Sequence, residues 1–223
     1  MIRFRLFGFP VTVEPWHWAI LAFCGGALGI KDGEDLLPVL LFMAAGAVSI
    51  IIHELGHALT MRLFGGQQVS IVLHGMGGHA ICQGARFSRG QHILISLAGP
   101  LLQVACGLLV LVALIMSPDI SSGATGLGAS PVYRLLTSFI YVSLFWAVLN
   151  LIPVYPMDGG QILRGILGPR RIQLTLQISI GVAIFFGVFG LFYLKTFLLS
   201  IFMLFSVVEN YKALKRTRTP GGW

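Results

Sequence analysis

Six apolar stretches, at residues 16–30, 36–61, 93–116, 131–152, 172–194 and 196–211, constrain this chain more than any other feature. Crossing ~30 Å of hydrocarbon takes about 20 apolar residues in a helix, and the four central stretches reach that length. Those at 16–30 and 196–211 are shorter and must be extended or tilted to span. Such a chain cannot cover itself with polar groups, because 56 % of its residues are hydrophobic and 10 % charged, with a mean hydropathy of +0.87. The bilayer is its solvent. The expected fold class is an α-helical polytopic membrane protein with six transmembrane helices, an N-terminal strand and a membrane-associated β-hairpin.

A net charge of +7 on a soluble protein would attract nucleic acid. Here the basic residues sit in short clusters between the apolar stretches, the arrangement that orients helices in a membrane, so no nucleic-acid partner is expected. With the N-terminus in the cytoplasm, one side receives Arg62, Arg86 and Arg89, then Arg164, Arg170 and Arg171, and finally Lys212, Lys215, Arg216 and Arg218. The other side keeps Lys31, Arg134 and Lys195 beside Asp32, Glu34, Asp35 and Asp119. Both termini are therefore expected in the cytoplasm, in a multi-pass protein of the cell membrane. Cys24, Cys82 and Cys106 show no CxxC spacing and read as small hydrophobes rather than a disulfide set.

Residues 1–15 read as a strand or hairpin on the membrane surface, because Ile2, Phe4 and Leu6 alternate with Arg3 and Arg5 before Gly8 and Pro10. The glycine-rich segment 65–90 holds apolar runs at 69–73 and 80–82, separated by His-Gly-Met-Gly-Gly-His at 74–79, which predicts a hairpin at or dipping into the membrane. Backbone that touches lipid cannot stay unpaired, so its strands must find partners. Residues 212–223 form a basic tail. The whole of 1–223 is expected to be one membrane-embedded domain without a soluble appendage.

At 53–57 the second apolar stretch reads His-Glu-Leu-Gly-His. Residues four apart share a helical face, so His53 and His57 can converge on one metal ion while Glu54, one step round, reaches its water as a catalytic base. A catalytic zinc takes three protein ligands and keeps a position open. Only eight acidic residues are present, most of them in loops, and within or at the edge of the later spans the candidates are Asp158 and Glu209. Asp158 lies in Asn-Leu-Ile-Pro-Val-Tyr-Pro-Met-Asp-Gly-Gly at 150–160, on the side the charge pattern gives to the histidines. Pro153 and Pro156 break the helix, and Gly159-Gly160 permits a tight turn that aims the carboxylate inward. Asp158 is the expected third ligand to one zinc per chain, and Glu209 is better explained by pairing with Lys212. A chance HExxH motif would leave an expensive cluster of ionisable residues in an apolar helix without a purpose.

With these residues in place, the sequence resembles the site-2 protease family of intramembrane zinc metalloproteases. His53–His57 matches the family's first motif and residues 150–160 its second, whose aspartate is a zinc ligand; Ala98-Gly99-Pro100 matches a shorter signature. The resemblance implies a zinc metalloendopeptidase that cuts a peptide bond in or near a transmembrane segment of a membrane-tethered substrate, in regulated intramembrane proteolysis. It implies the minimal six-span type, with neither PDZ nor CBS domain, so that regulation falls to a membrane partner or to substrate supply. It also implies that Asn150 binds substrate backbone or an oxyanion, although a helix-to-helix amide bond explains this residue equally well. Gly77 and Gly78 either offer a strand edge to an unwound substrate or simply make a turn. Gln103 departs from the pattern, where asparagine follows the Ala-Gly-Pro signature.

The alternative is a catalytically silent or metal-transporting membrane protein on the same scaffold, and transport would call for further ligands along a path. His74 and His79 have no carboxylate near them in their loop and read as polar contacts rather than a second metal site. His17, beside Trp16, reads as an interfacial residue.

Overall fold

The structure, a computed structural model, describes residues 1–117 and 130–218; the loop residue Asp119 and the tail after residue 218 lie outside the described residues. Its elements run β1 (Ile2–Leu6), β2 (Phe9–Val13), α1 (Pro15–Cys24), α2 (Leu36–Leu63), β3 (Gln68–His74), β4 (Gly77–Gln83), α3 (Arg89–Ile115), α4 (Pro131–Leu151), α5 (Asp158–Leu167), α6 (Ile172–Phe192) and α7 (Phe197–Arg218). Among the described residues, five segments are long and apolar enough to cross a membrane: Gly33–Leu63, Arg89–Ile115, Pro131–Leu151, Pro169–Phe192 and Phe197–Thr217.

The sixth expected span, at residues 16–30, is not among these five. There α1 has ten residues, about 15 Å of helix against ~30 Å of hydrocarbon. Pro15 opens it at a position where the missing N–H is not needed. It stops at Gly25-Gly26, where Gly26 takes the left-handed conformation at φ +91°, the geometry that ends helices. Apolar composition continues past these glycines, where the chain makes only a single 3-10 turn at Ala27–Gly29.

The chain divides into two compact units, residues 1–86 with 98–148, and residues 87–97 with 149 onward. In the first, β1 and β2 pair antiparallel around Phe7-Gly8, both at positive φ, the turn type that matches strand twist in tight hairpins. Segment 65–90 forms the antiparallel hairpin β3-β4. The partner its backbone requires is β2, which runs parallel to β3 with Val11 opposite Ile71, giving a four-stranded sheet in the order β1-β2-β3-β4. Period-two alternation puts Phe9, Val11, Val13, Val69, Ile71 and Leu73 on one buried face, clustered with Ile50, Leu55 and Ala58 of α2. Each such side chain contributes ~1.5–3 kcal/mol on burial. The sheet is thus fastened to the stretch of α2 that holds residues 53–57. His17 is buried rather than interfacial: it is 2 % exposed and its Nδ1 lies 3.2 Å from the His74 carbonyl oxygen, while its neighbour Trp16 is exposed.

In the second unit, α4 ends ahead of Pro153 and α5 begins at Asp158. Gly159 and Gly160 stand in the first turn of α5 rather than in a loop turn. A Cβ on Gly159 would strike the Leu151 and Ile152 carbonyl oxygens, and one on Gly160 the Tyr155 backbone. What the sequence demands there is close approach, not a bend. The loop before α5 is pinned at Tyr155, whose N–H donates to Ser179 Oγ of α6 at 3.0 Å and whose carbonyl accepts from Asn210 Nδ2 of α7. Phe185, Phe192 and Phe197 are exposed, as side chains facing lipid would be, and Glu209 pairs with Lys212 at 2.8 Å, as expected.

Candidate metal centre

His53, Glu54 and His57 are 2 %, 3 % and 7 % exposed, and their ligand atoms all lie within 4.8 Å of one another. His53 Nε2 is 3.1 Å from His57 Nε2. Two imidazoles bonded at about 2.0–2.1 Å to one tetrahedral zinc sit about 3.3 Å apart, so the pair has the separation that a shared ion requires. The donor set fits zinc.

Glycine makes the room. A Cβ on Gly99 of α3 would strike the His57 ring, and one on Gly56 would strike the Ala98 backbone, so α2 and α3 meet here at backbone distance. From the sheet, a Cβ on Gly78 would lie 2.6 Å from Glu54 Cγ and 2.8 Å from its Oε1. The backbone of β4, an outer strand of the sheet, therefore borders the Glu54 carboxylate. Gly77, at φ +117°, leaves no space for a side chain against Trp146, 2.8 Å away.

Gln103, fully buried on α3, is the residue whose role the sequence reading left unassigned. Its Nε2 donates to Ser49 Oγ at 2.8 Å and to the Ser49 carbonyl at 3.3 Å. A backbone carbonyl only accepts, so the amide nitrogen must face Ser49 and Oε1 must face His53 Nδ1, 2.9 Å away. That nitrogen is then the protonated one, and the lone pair of His53 is on Nε2, directed at His57. Ser49 Oγ is held in turn by Ser143 Oγ of α4 at 2.9 Å. A polar residue in an apolar span was the available signal. The outer partner of a ligating histidine fixes its tautomer and ring orientation.

Asn150 is the next-to-last residue of α4, half-buried, and Asp158 is the first residue of α5, also half-buried; both belong to the second unit. The structure brings together His53, Glu54, His57 and Gly78, with Gly77 next in the strand.

A buried His-Glu-x-x-His centre in a helix of membrane-spanning length defines a class: polytopic membrane proteins with a zincin-type metal site inside the bundle. The sequence profile of Peptidase family M50 matches residues 119–194, which include Asn150 and Asp158, and a profile of zincin-type peptidases matches residues 46–153, which include His53–His57. The chain is 27 % identical over 224 residues to the zinc metalloprotease MJ0392 of Methanocaldococcus jannaschii, covering 95 % of this chain and 60 % of that protein. It is 27 % identical over 219 residues to stage IV sporulation protein FB of Bacillus subtilis, covering 91 % and 66 %. The solved structure of the site-2 protease from Methanocaldococcus jannaschii superposes with a TM-score of 0.66 and 26 % identity, over 96 % of this chain and 94 % of that one. In sequence and in fold the chain is similar to the site-2 protease family, and that likeness implies zinc as the metal. It spans about two thirds or less of the length of the two full-length relatives named.

Proposed function

We propose that this chain is an intramembrane zinc metalloendopeptidase that hydrolyses a peptide bond in or near a transmembrane segment of a membrane-tethered protein. The observation that carries the reading is the buried His53-Glu54-His57 centre, with a strand backbone against its carboxylate at Gly78. Asp158 completes the ligand set for one zinc per chain. Its support is chemical: it sits at the end of a loop pinned on both sides of Tyr155, and Glu209, the other candidate carboxylate, is engaged by Lys212.

His53, His57 and Asp158 would hold the zinc, which would supply Lewis acidity toward a scissile carbonyl and would lower the pKa of a water to about 7. Glu54 takes the proton of the attacking water on a carboxylate oxygen and returns it to the departing amine. A peptide bond inside a helix is closed to attack, and the outer edge of β4 at Gly77 and Gly78 gives an unwound segment main-chain partners beside Glu54. Asn150 offers a side-chain amide to the substrate backbone or to the developing oxyanion. Both termini face the cytoplasm, which requires an even number of crossings and makes residues 16–30 one of them, helped by the short helical turn that follows α1.

The test is co-expression with a single-span reporter protein. In Glu54→Gln, cleavage falls about 10²–10⁴-fold while zinc content stays at the wild-type level, and undiminished cleavage would remove Glu54 from its role. In Asp158→Ala, purified protein carries far less zinc than wild type; full retention would strike Asp158 from the ligand set.

A further inference from the structure

The second unit holds a cavity of about 300 Å³ that the metal centre does not use. Arg89 and His92, three residues apart at the start of α3, line it with Gln161 and Arg164, three residues apart on α5, and Phe87 and Pro169 add an apolar rim. Residues at that spacing share a helical face, so each helix turns two donors toward the same space.

Arg89 is fixed in place. Its Nε and Nη2 donate to the Gly165 carbonyl at 3.1 and 2.9 Å, and Nη2 also to the Ile166 carbonyl at 2.8 Å. These bonds satisfy carbonyls in the last turn of α5 and leave the two N–H groups of Nη1 for another acceptor. The Arg164 guanidinium carbon lies 5.9 Å from the Tyr155 ring centre, a contact through the ring face that leaves its N–H donors available. No carboxylate lines the cavity among the described residues. Two guanidinium groups in one cavity without a protein counter-ion attract an anion, and their planar forks suit a phosphate above all.

Arg89 and Pro169 are also the first residues of two of the membrane-length segments. The cavity therefore lies where two spans leave the hydrocarbon, at the depth of lipid headgroups, and on the side the basic loops assign to the cytoplasm, where anionic lipids concentrate. An apolar rim beside cationic donors matches a molecule that is charged at one end and oily at the other. We infer that this cavity binds a phosphate group, supplied in the membrane by the headgroup of an anionic phospholipid.

The full chain, purified in detergent and offered phosphatidylglycerol or phosphatidylcholine, is examined by native mass spectrometry. Wild type retains phosphatidylglycerol in preference. Arg164→Gln lowers that retention about fivefold, the loss expected for one arginine at an anionic surface, and Arg164→Lys, which keeps the charge but not the planar fork, recovers only part of it. Arg216→Gln, a basic residue outside the cavity, leaves it unchanged. Equal losses in Arg164→Gln and Arg216→Gln mean diffuse attraction and overturn the site, as does a wild type with no preference. A further arm adds millimolar inorganic phosphate, which is expected to leave the lipid bound. Displacement that depends on Arg164 keeps the phosphate site but overturns the lipid as its source.

Discussion

His53 Nε2 lies 3.1 Å from His57 Nε2 within α2, and His74 Nε2 lies 3.2 Å from His79 Nδ1 at the tip of the β3-β4 hairpin. Spacing does not distinguish these two imidazole pairs; the far side of each ring does. At His53, Gln103 Oε1 accepts the Nδ1 proton, so the Nε2 lone pair points at its neighbour. At His74, Nδ1 accepts the Met76 N–H at 3.2 Å, which puts the ring proton on Nε2, where it is donated to His79. The first pair is arranged to share a cation in a buried setting. The second is a hydrogen bond complete in itself, with His79 exposed.

The largest effect that can break this contrast is loss of the metal. His53→Ala is expected to empty the site, taking zinc from about one per chain, the stoichiometry of a mononuclear catalytic centre, to a trace, and cleavage with it. His79→Ala is expected to leave zinc content unchanged. Metal analysis of the two purified variants decides the matter, and zinc loss in His79→Ala would show that the hairpin pair also holds an ion.

Gly78→Ala comes next. Its Cβ would sit 2.6 Å from Glu54 Cγ, so the carboxylate must shift, and a misplacement of about 1 Å at a reacting group costs on the order of 10²-fold. Reporter cleavage should fall by that factor while zinc is retained. Wild-type cleavage would mean that β4 does not confine Glu54. Gln103→Leu acts on the other side of the centre, where it strips the acceptor from His53 Nδ1. Zinc affinity measured by chelator competition should weaken about 10–100-fold, with Gln103→Asn in between because it is one methylene shorter. Unchanged affinity in the leucine variant would refute the tautomer argument.

These sites were unequally legible in the sequence. His53, Glu54 and His57 could be read because helical spacing puts residues four apart on one face, whatever the surroundings. The N-terminal strand and the hairpin could be read from the alternation at 2–6 and the apolar runs at 69–73 and 80–82. The parallel pairing of β2 with β3 could not, because the partners are some sixty residues apart and no local rule joins them. Gln103 was visible only as a polar residue in an apolar helix. Its partner depends on how far α3 slides along α2, and that register is set where Gly56 and Gly99 let the two backbones touch. Glycine misled in two directions: at 159–160 it signalled a turn where the structure needed close contact, and at 25–26 it ended a helix that apolar composition seemed to extend.

The smallest effect belongs to the hairpin pair. Burial holds the His74 imidazole below its ordinary value of 6.5, His79 pushes the same way, and Glu14 opposes both, with His17 a lesser influence. Just below pH 6.5 the unfolded chain therefore binds more protons than the folded one, so stability rises with pH through that window. The contribution of this residue is complete above about pH 6.5 and is lost as pH falls through the lowered folded-state value, when a charged His74 meets His79 and His17. Thermal unfolding should thus show a lower midpoint in mild acid than at neutral pH, and His74→Gln should flatten the part of that slope the pair supplies. Parallel curves for wild type and variant would mean that the ring proton shared between His74 and His79 does not stabilise the hairpin. The likeness to the metal pair would then be one of distance alone.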